Sequence, residues 1–267
     1  MALQLDHVVI AVEDLARASA DYAALGFTVV PGGSHPGRAT HNALVVFADG
    51  AYFELIAWRE DAPQERWWQL LQRHGEGIVD VALLPADTGT VVTEAAARGL
   101  ALDGPQDGGR LRPDGERLRW QTARAPSADL PFLCGDLTPR ALRVPEGEVR
   151  THANGATGIA SLAIAVRDLD ASVARWRALL GDGAQVRQAA LPGSGTRLAL
   201  VALGGTTLVL LSPHEPQASE SLARRLAGRG EGPYALVLAT RDPAFAGTAA
   251  DAVRAHGAVI EFAGHPS

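Results

Sequence analysis

Three side chains near the N-terminus have the types and spacing to do chemistry: His7, His41 and Glu54. His7 interrupts the apolar run from Leu5 to Ile10, and Glu54 interrupts Tyr52–Trp58. Two imidazoles and one carboxylate suit a divalent metal of the Zn, Mn, Fe, Co or Ni type. The same groups can also transfer protons as general acid and base. A carboxylate left ionised and unpaired in a dry, aromatic setting would cost at least several kcal/mol. Glu54 therefore calls for a cation, a hydrogen-bonded histidine or its own protonation.

Whether these groups meet depends on the strands that carry them. Asn42–Ala48 and Tyr52–Trp58 read as two strands joined at Asp49-Gly50, a strong hairpin signal. A two-residue loop would set Glu54 opposite Val45. Alternation then puts His41, Ala43, Val45 and Phe47 on one face with Tyr52, Glu54, Ile56 and Trp58. On this reading His7 and Glu54 are metal ligands, and His41 is a third ligand or the general base. Tyr52, Trp58, Phe47 and, further on, Trp120 are the residues to line a ligand pocket. Core packing is the plainer role for the two tryptophans.

Other residues carry less. Asp80 occupies in a second strand–helix unit the place His7 holds in the first, so it could complete a site from the opposite sheet. Turn or surface duty competes with that role. Cys134 ends a strand and reads as a small buried residue. Arg117 and Arg119 alternate with Leu118 and Trp120 and face away from them. His152 and Asn154 sit in a connector, where capping is the simple role. His35 lies in a Gly/Pro loop that could close over a cup. The chain has no Gly-rich phosphate loop, G-x-S-x-G elbow or C-x-x-C pair.

The chain also nearly repeats itself. Leu5 to Phe27 recurs as Ile159 to Gly181, superposing Ile10 on Ile164, Asp14 on Asp168 and Tyr22 on Trp176. The apolar pattern is kept and the polar chemistry is not. Ser161, Thr196 and Val209 stand where the first copy has His7, His41 and Glu54.

Each copy reads as βαβββ. In the first, Leu5–Val12 is a strand and Asp14 caps a helix that Gly26 ends. Phe27–Val30 is a strand and Pro31–Ala39 a loop. The order recurs more faintly after a helix near Gln64–Arg73, again from Ile159, and last from Tyr234 with a helix over Pro243–Ala255. The last unit is truncated by two strands. The fold class is therefore α+β, with repeated βαβββ units paired into curved mixed sheets. Residues 1–138 form an N-terminal pair of units, 139–156 a connector marked by Pro139, Pro145, Gly147 and Gly155, and 157–267 a C-terminal half.

Composition limits the partners. Hydrophobic residues are 47%, charged residues 20% and the net charge −6, with no Lys/Arg block for a nucleic-acid backbone. Cys134 is the single cysteine, so no internal disulfide forms and a reducing compartment fits. No secretory leader and no run of transmembrane length is present, so the expectation is a cytoplasmic protein without a membrane partner. Pairing of units within one chain removes the need for a dimer, although a homodimer is compatible.

The pattern LDHVVIAVEDL…LGF…ATHNALVVFADGAYFELIA resembles the vicinal oxygen chelate superfamily, in particular its glyoxalase-like branch. The resemblance implies βαβββ units paired into cups. It also implies one divalent metal, with ligands from the first and last strands of paired units, where His7 and Glu54 fall. It implies a small-molecule lyase, isomerase or dioxygenase whose metal chelates two substrate oxygens, or a metal-free protein that sequesters drugs. His41 is not at a usual ligand position of that superfamily, and Asp80 with the 132–136 region offers no His/Glu pair.

Overall fold

The structure is a computed structural model that describes residues 3–215 and 219–264. The first βαβββ unit comprises β1 (Gln4–Ala11), α1 (Leu15–Ala24), β2 (Val30–Ser34), β3 (Thr40–Val46) and β4 (Tyr52–Trp58). Helix α2 (Arg66–His74) leads to the second: β5 (Gly77–Leu84), α3 (Thr88–Ala97), β6 (Asp103–Leu111), β7 (Arg117–Arg124) and β8 (Phe132–Asp136). A short α4 (Arg140–Arg143) lies in the connector. The third unit is β9 (Ala156–Ala165), α5 (Leu169–Leu180), β10 (Val186–Leu191), β11 (Thr196–Leu203) and β12 (Thr206–Pro213). Then follow α6 (Glu220–Gly228), β13 (Gly232–Thr240) and β14 (Val259–Gly264). Among the described residues, no helix is long and apolar enough to cross a membrane.

The first two units close into an eight-stranded barrel, ordered β1-β4-β3-β2-β6-β7-β8-β5. The C-terminal half is an open six-stranded sheet, β10-β11-β12-β9-β13-β14. The same local device starts the helix in both copies. Asp14 accepts from the Ala16 and Arg17 N–H groups, and Asp168 accepts from that of Ala171. One apolar core joins the halves, with Ile10, Tyr22 and Phe53 packed in the same cluster as Leu162, Trp176 and Phe262. A smaller cluster, including Val9, Ala11, Ile56 and Phe132, sits inside the barrel.

Three sequence expectations change. First, the β3–β4 hairpin turns through three residues, Ala48-Asp49-Gly50, with Gly50 at φ 84°, and the Phe47 and Ala51 backbones pair across it. This is a turn with a left-handed glycine that closes a three-residue loop. Glu54 therefore pairs with Leu44, not Val45. A one-residue slip moves every β3 side chain to the other face. Second, β2 runs over Val30–Ser34, largely where a loop is expected, and Phe27–Val29, expected in the strand, lie before it. Third, residues 243–255 form turns and not a helix. Their backbone bonds across to β14 (Gly247 N–H to the Phe262 carbonyl, Ala250 N–H to that of Ile260), and Phe245 packs on Phe262. Helix α6 was not foreseen.

Candidate active site in the N-terminal barrel

The barrel encloses a cavity of about 490 Å³, a size that suits a small molecule. Its polar centre is Glu54, carried inward by β4 and 7% exposed. The Asn42 amide, aimed inward from β3, donates to Glu54 Oε1 at 2.5 Å. Two imidazoles face the same carboxylate. His7 Nε2 lies 3.6 Å from Oε2, and His35 Nε2 lies 3.7 Å from Oε1. Both separations exceed hydrogen-bond length, so neither imidazole is bonded to the carboxylate.

His7 is aimed by a bulge. Leu5 pairs with Leu83 and His7 with Ala82, which leaves Asp6 as an extra residue in β1. Asp6 can therefore bond its own neighbour, with Oδ2 2.7 Å from His7 Nδ1. Bulges beside active sites re-aim side chains in this way. The His7 ring stacks on Tyr52 at 4.6 Å and meets Phe132 edge-on at 5.4 Å. With Nδ1 held by a carboxylate, Nε2 is the nitrogen presented to Glu54.

Asp6 is completely buried and is neutralised from the connector. Arg143 donates to both of its oxygens (2.7 and 3.1 Å), to Asp136 and to the Tyr52 hydroxyl (2.7 Å). Arg140 adds a bond to Asp6 at 2.6 Å. Burial pushes the Asp6 carboxyl up, but Arg143, His7 and Arg140 outweigh it and hold the group far below the usual carboxylate range. The connector thus serves as the back wall of the site.

His35 follows β2 in a tight turn, its Nδ1 2.8 Å from the Thr40 hydroxyl. Burial pushes its imidazole below the ordinary value, although the Glu54 carboxylate pulls the other way. Gly32 makes room for this side of the cup. A Cβ there would fall 2.1 Å from Asn42 Oδ1 and 2.6 Å from Arg110 Nη1. Arg110 is itself buried and reaches Asn42 Oδ1 at 3.3 Å.

The expected residues divide. His7, Glu54, Tyr52 and Trp120 all line the cavity. His41 does not: it pairs with Ala57 on the outer face of β3, because of the longer hairpin loop. For the same reason Phe47 points into the main core, against Phe27, Phe53 and His152. Trp58 shares the inner face but packs at the strand end, donating to Glu65 Oε2 at 2.8 Å. Asp80 completes no site with Glu54; it is taken up by Arg66, Trp67 and Arg124. His152 and Asn154 bond backbone groups of Thr28, Val46 and Leu25, as capping residues do. Cys134 is buried on the cavity wall, and burial pushes its thiol up. Sequence reasoning passed over Asp6, Asn42, Arg110 and Arg143. Asp6 carried one signal, an acidic residue beside His7 inside an apolar strand.

His7 and Glu54 have the donor chemistry of metal ligands, but the set stops short. Among the described residues, no group of three or more His, Cys, Asp or Glu side chains is arranged to hold a metal ion.

The glyoxalase-like domain family model matches residues 5–180, which is the barrel, the connector and the start of the C-terminal half. The chain belongs to this glyoxalase-like family. Similar folds extend over nearly the whole chain. A hypothetical protein from Staphylococcus aureus aligns over 98% of this chain and 100% of its own, at 14% identity and TM-score 0.74. A mutant of 4-hydroxymandelate synthase from Streptomyces coelicolor aligns over 91% of this chain and 72% of its own, at 15% identity and TM-score 0.58. A xylose isomerase-like TIM barrel/4-hydroxyphenylpyruvate dioxygenase fusion protein aligns over 91% and 37%, at 17% identity and TM-score 0.57. No curated protein matches the chain significantly. Family and neighbours together are those of the vicinal oxygen chelate fold, which serves enzymes and binding proteins alike.

Proposed function

We propose that this glyoxalase-like protein is a small-molecule enzyme whose active site is the N-terminal cup. Glu54 is the carboxylate that moves a proton there, and His7 and His35 are its partners. The observation that carries this reading is one buried carboxylate facing two imidazole nitrogens at 3.6 and 3.7 Å on the cavity wall. Burial favours the neutral form of His35, the form that can accept a proton. Asp6 holds His7 in one tautomer, so the pair resembles the carboxylate–imidazole couples that orient a base. Proton transfer next to a carbonyl, the common step of isomerases and lyases, is the chemistry this set can perform. Tyr52 and Trp120 line the cavity that would hold the substrate. A free, buried Cys134 fits work in the cytoplasm.

A divalent ion on His7 and Glu54 is the expectation drawn from the superfamily. Two donors from this chain do not complete such a site, so no step is assigned to an ion. Elemental analysis of protein purified without chelator measures this directly. Stoichiometric metal that is lost in both His7→Ala and Glu54→Gln would replace the proton-transfer reading with a metal-centred one. For the enzyme reading itself, a panel of carbonyl compounds in D₂O is followed by NMR. Exchange of a hydrogen next to a carbonyl, catalysed by the protein and abolished in Glu54→Gln, is the expected result. Small molecules that bind the cup with no exchange or turnover would favour a sequestering protein instead.

A further inference from the structure

Two buried arginines stand behind the cup, and only one of them is neutralised. Arg143 is 2% exposed and ion-paired with Asp6 and Asp136. Arg110 is 3% exposed and forms no ion pair among the described residues. Its Nη1 donates to Asn42 Oδ1 at 3.3 Å and its Nη2 to the Arg143 carbonyl at 3.1 Å. Its Nε is buried and has no acceptor. A guanidinium cannot shed its proton to escape this situation. A buried cation without an anion is costly, and a buried N–H without an acceptor adds to the cost. Glu54 is near enough to favour the charge on Arg110 but makes no ion pair with it, because Asn42 stands between them, accepting from Arg110 and donating to Glu54.

Arg110 is fixed as well as unpaired. Gly32 and Gly33 let it lie against β2, since a Cβ on Gly33 would come within 3.3 Å of Arg110 Cγ. A rigid guanidinium on a cavity wall is the group that matches a carboxylate in two parallel hydrogen bonds. Trp120, Phe132 and Ile56 give the lining an apolar stretch, beside charged groups nearer the mouth such as Arg38, Asp107 and Arg119.

We propose that the cup takes a small organic carboxylate, its carboxylate on Arg110 and its apolar body against Trp120 and Phe132. The ligand supplies the anion that the fold withholds from Arg110 and leaves its reacting carbon to Glu54. This rests on the reading of the cup as the functional site and names its substrate class.

The test uses the full chain with benzoate, phenylacetate and 3-phenylpropanoate, each against its neutral amide, by calorimetry at pH 7. At least one acid binds about tenfold or more tightly than its amide, the scale of a charge-assisted pair. Arg110→Gln removes that difference and leaves amide binding in place. Arg110→Lys keeps part of it, and His41→Ala, outside the cup, keeps all of it. The acid-to-amide ratio in the wild-type protein needs no variant, so misfolding of Arg110→Gln does not spoil the test. Acids that bind no tighter than their amides overturn the proposal, while amide binding that disappears in Glu54→Gln would still uphold the cup as the site. Acid binding indifferent to both Arg110→Gln and Glu54→Gln places the ligand elsewhere and overturns both readings.

Discussion

The barrel and the C-terminal sheet are two versions of one strand arrangement, and they differ most where chemistry would occur. β1 and β4 pair in parallel with His7 beside Tyr52 and Val9 beside Glu54. β9 and β12 pair in the same way, with Ser161 beside Thr207 and Ala163 beside Val209. The third strands are shifted by one residue relative to one another. The β11–β12 hairpin turns through Gly204-Gly205, two residues, whereas β3–β4 uses three. The counterpart of His41 is therefore Arg197, and Thr196 matches Thr40. The inward Asn42 corresponds to Leu198. Ser161, Leu198, Thr207 and Val209 thus replace His7, Asn42, Tyr52 and Glu54, and the sheet forms all the same. The C-terminal face also stays open, with Leu200 38% and Val259 47% exposed. Among the described residues no second set of strands closes over it. Site residues and closure occur together in one half and are both missing from the other.

That pairing can be attacked from several sides. The largest effect is expected at the back wall. Asp6→Asn leaves Arg143 buried with one counter-charge fewer and should cost about 3–5 kcal/mol in urea unfolding. Ser161→Ala, in the matching strand of the open half, should cost less than about 0.5 kcal/mol. Equal costs would mean that the Asp6–Arg143 network is no special support of the cup.

Next comes Gly32→Ala. Its Cβ would collide with Asn42 and Arg110, both held by other bonds, at about 1–3 kcal/mol. It should weaken cup ligands as Asn42→Leu does, as seen by thermal shift. A third test grafts the silent half onto the active one. Asn42→Leu with Glu54→Val reproduces Leu198 and Val209. The fold should persist at a cost of about 1–3 kcal/mol, because the graft takes the Asn42 acceptor from the buried Arg110 guanidinium. All ligand-induced stabilisation should vanish. A graft that fails to fold would show that the polar centre is needed for the barrel itself.

The smallest effect is in pH. Burial holds His35 and His152 below the ordinary imidazole value of 6.5, so the unfolded chain binds protons there that the folded chain does not. Stability contributed this way is complete above 6.5 and falls as pH drops below it. His35→Gln should make that slope shallower. Asp6 acts in a separate window: its folded value is depressed, so its share is lost only as pH falls below the ordinary 3.8. A slope between pH 7 and 5 that does not change in His35→Gln would remove His35 from the buried, neutral role assigned to it.

Much of this was legible from residue types. Asp14 and Asp168 announced their helices, because a capping carboxylate acts within its own turn. His7 and Glu54 stood out as polar interruptions of apolar strands, against a repeat that lacked them. His41 and Phe47 were misplaced by one loop residue, since side-chain direction in a strand depends on register and register on the turn. The sequence showed Asp49-Gly50 but not whether two or three residues would turn. Arg110, Arg143 and Asn42 were not legible at all. Their partners lie far away in the chain: Arg143 meets Asp6 across 137 positions and Arg110 meets Asn42 across 68.

The amino-acid sequence by itself determined the repeated βαβββ units, their helix starts and the half that carries the polar residues, because period, caps and turns act over a few residues. Tertiary structure alone decided that the first two units close into a barrel and that Asn42 and not His41 faces Glu54. It also decided that a connector arginine neutralises Asp6 while Arg110 is left without an ion pair among the described residues. Those outcomes depend on strand register and on which distant charges share a dry interior, and both are set only when the sheets close.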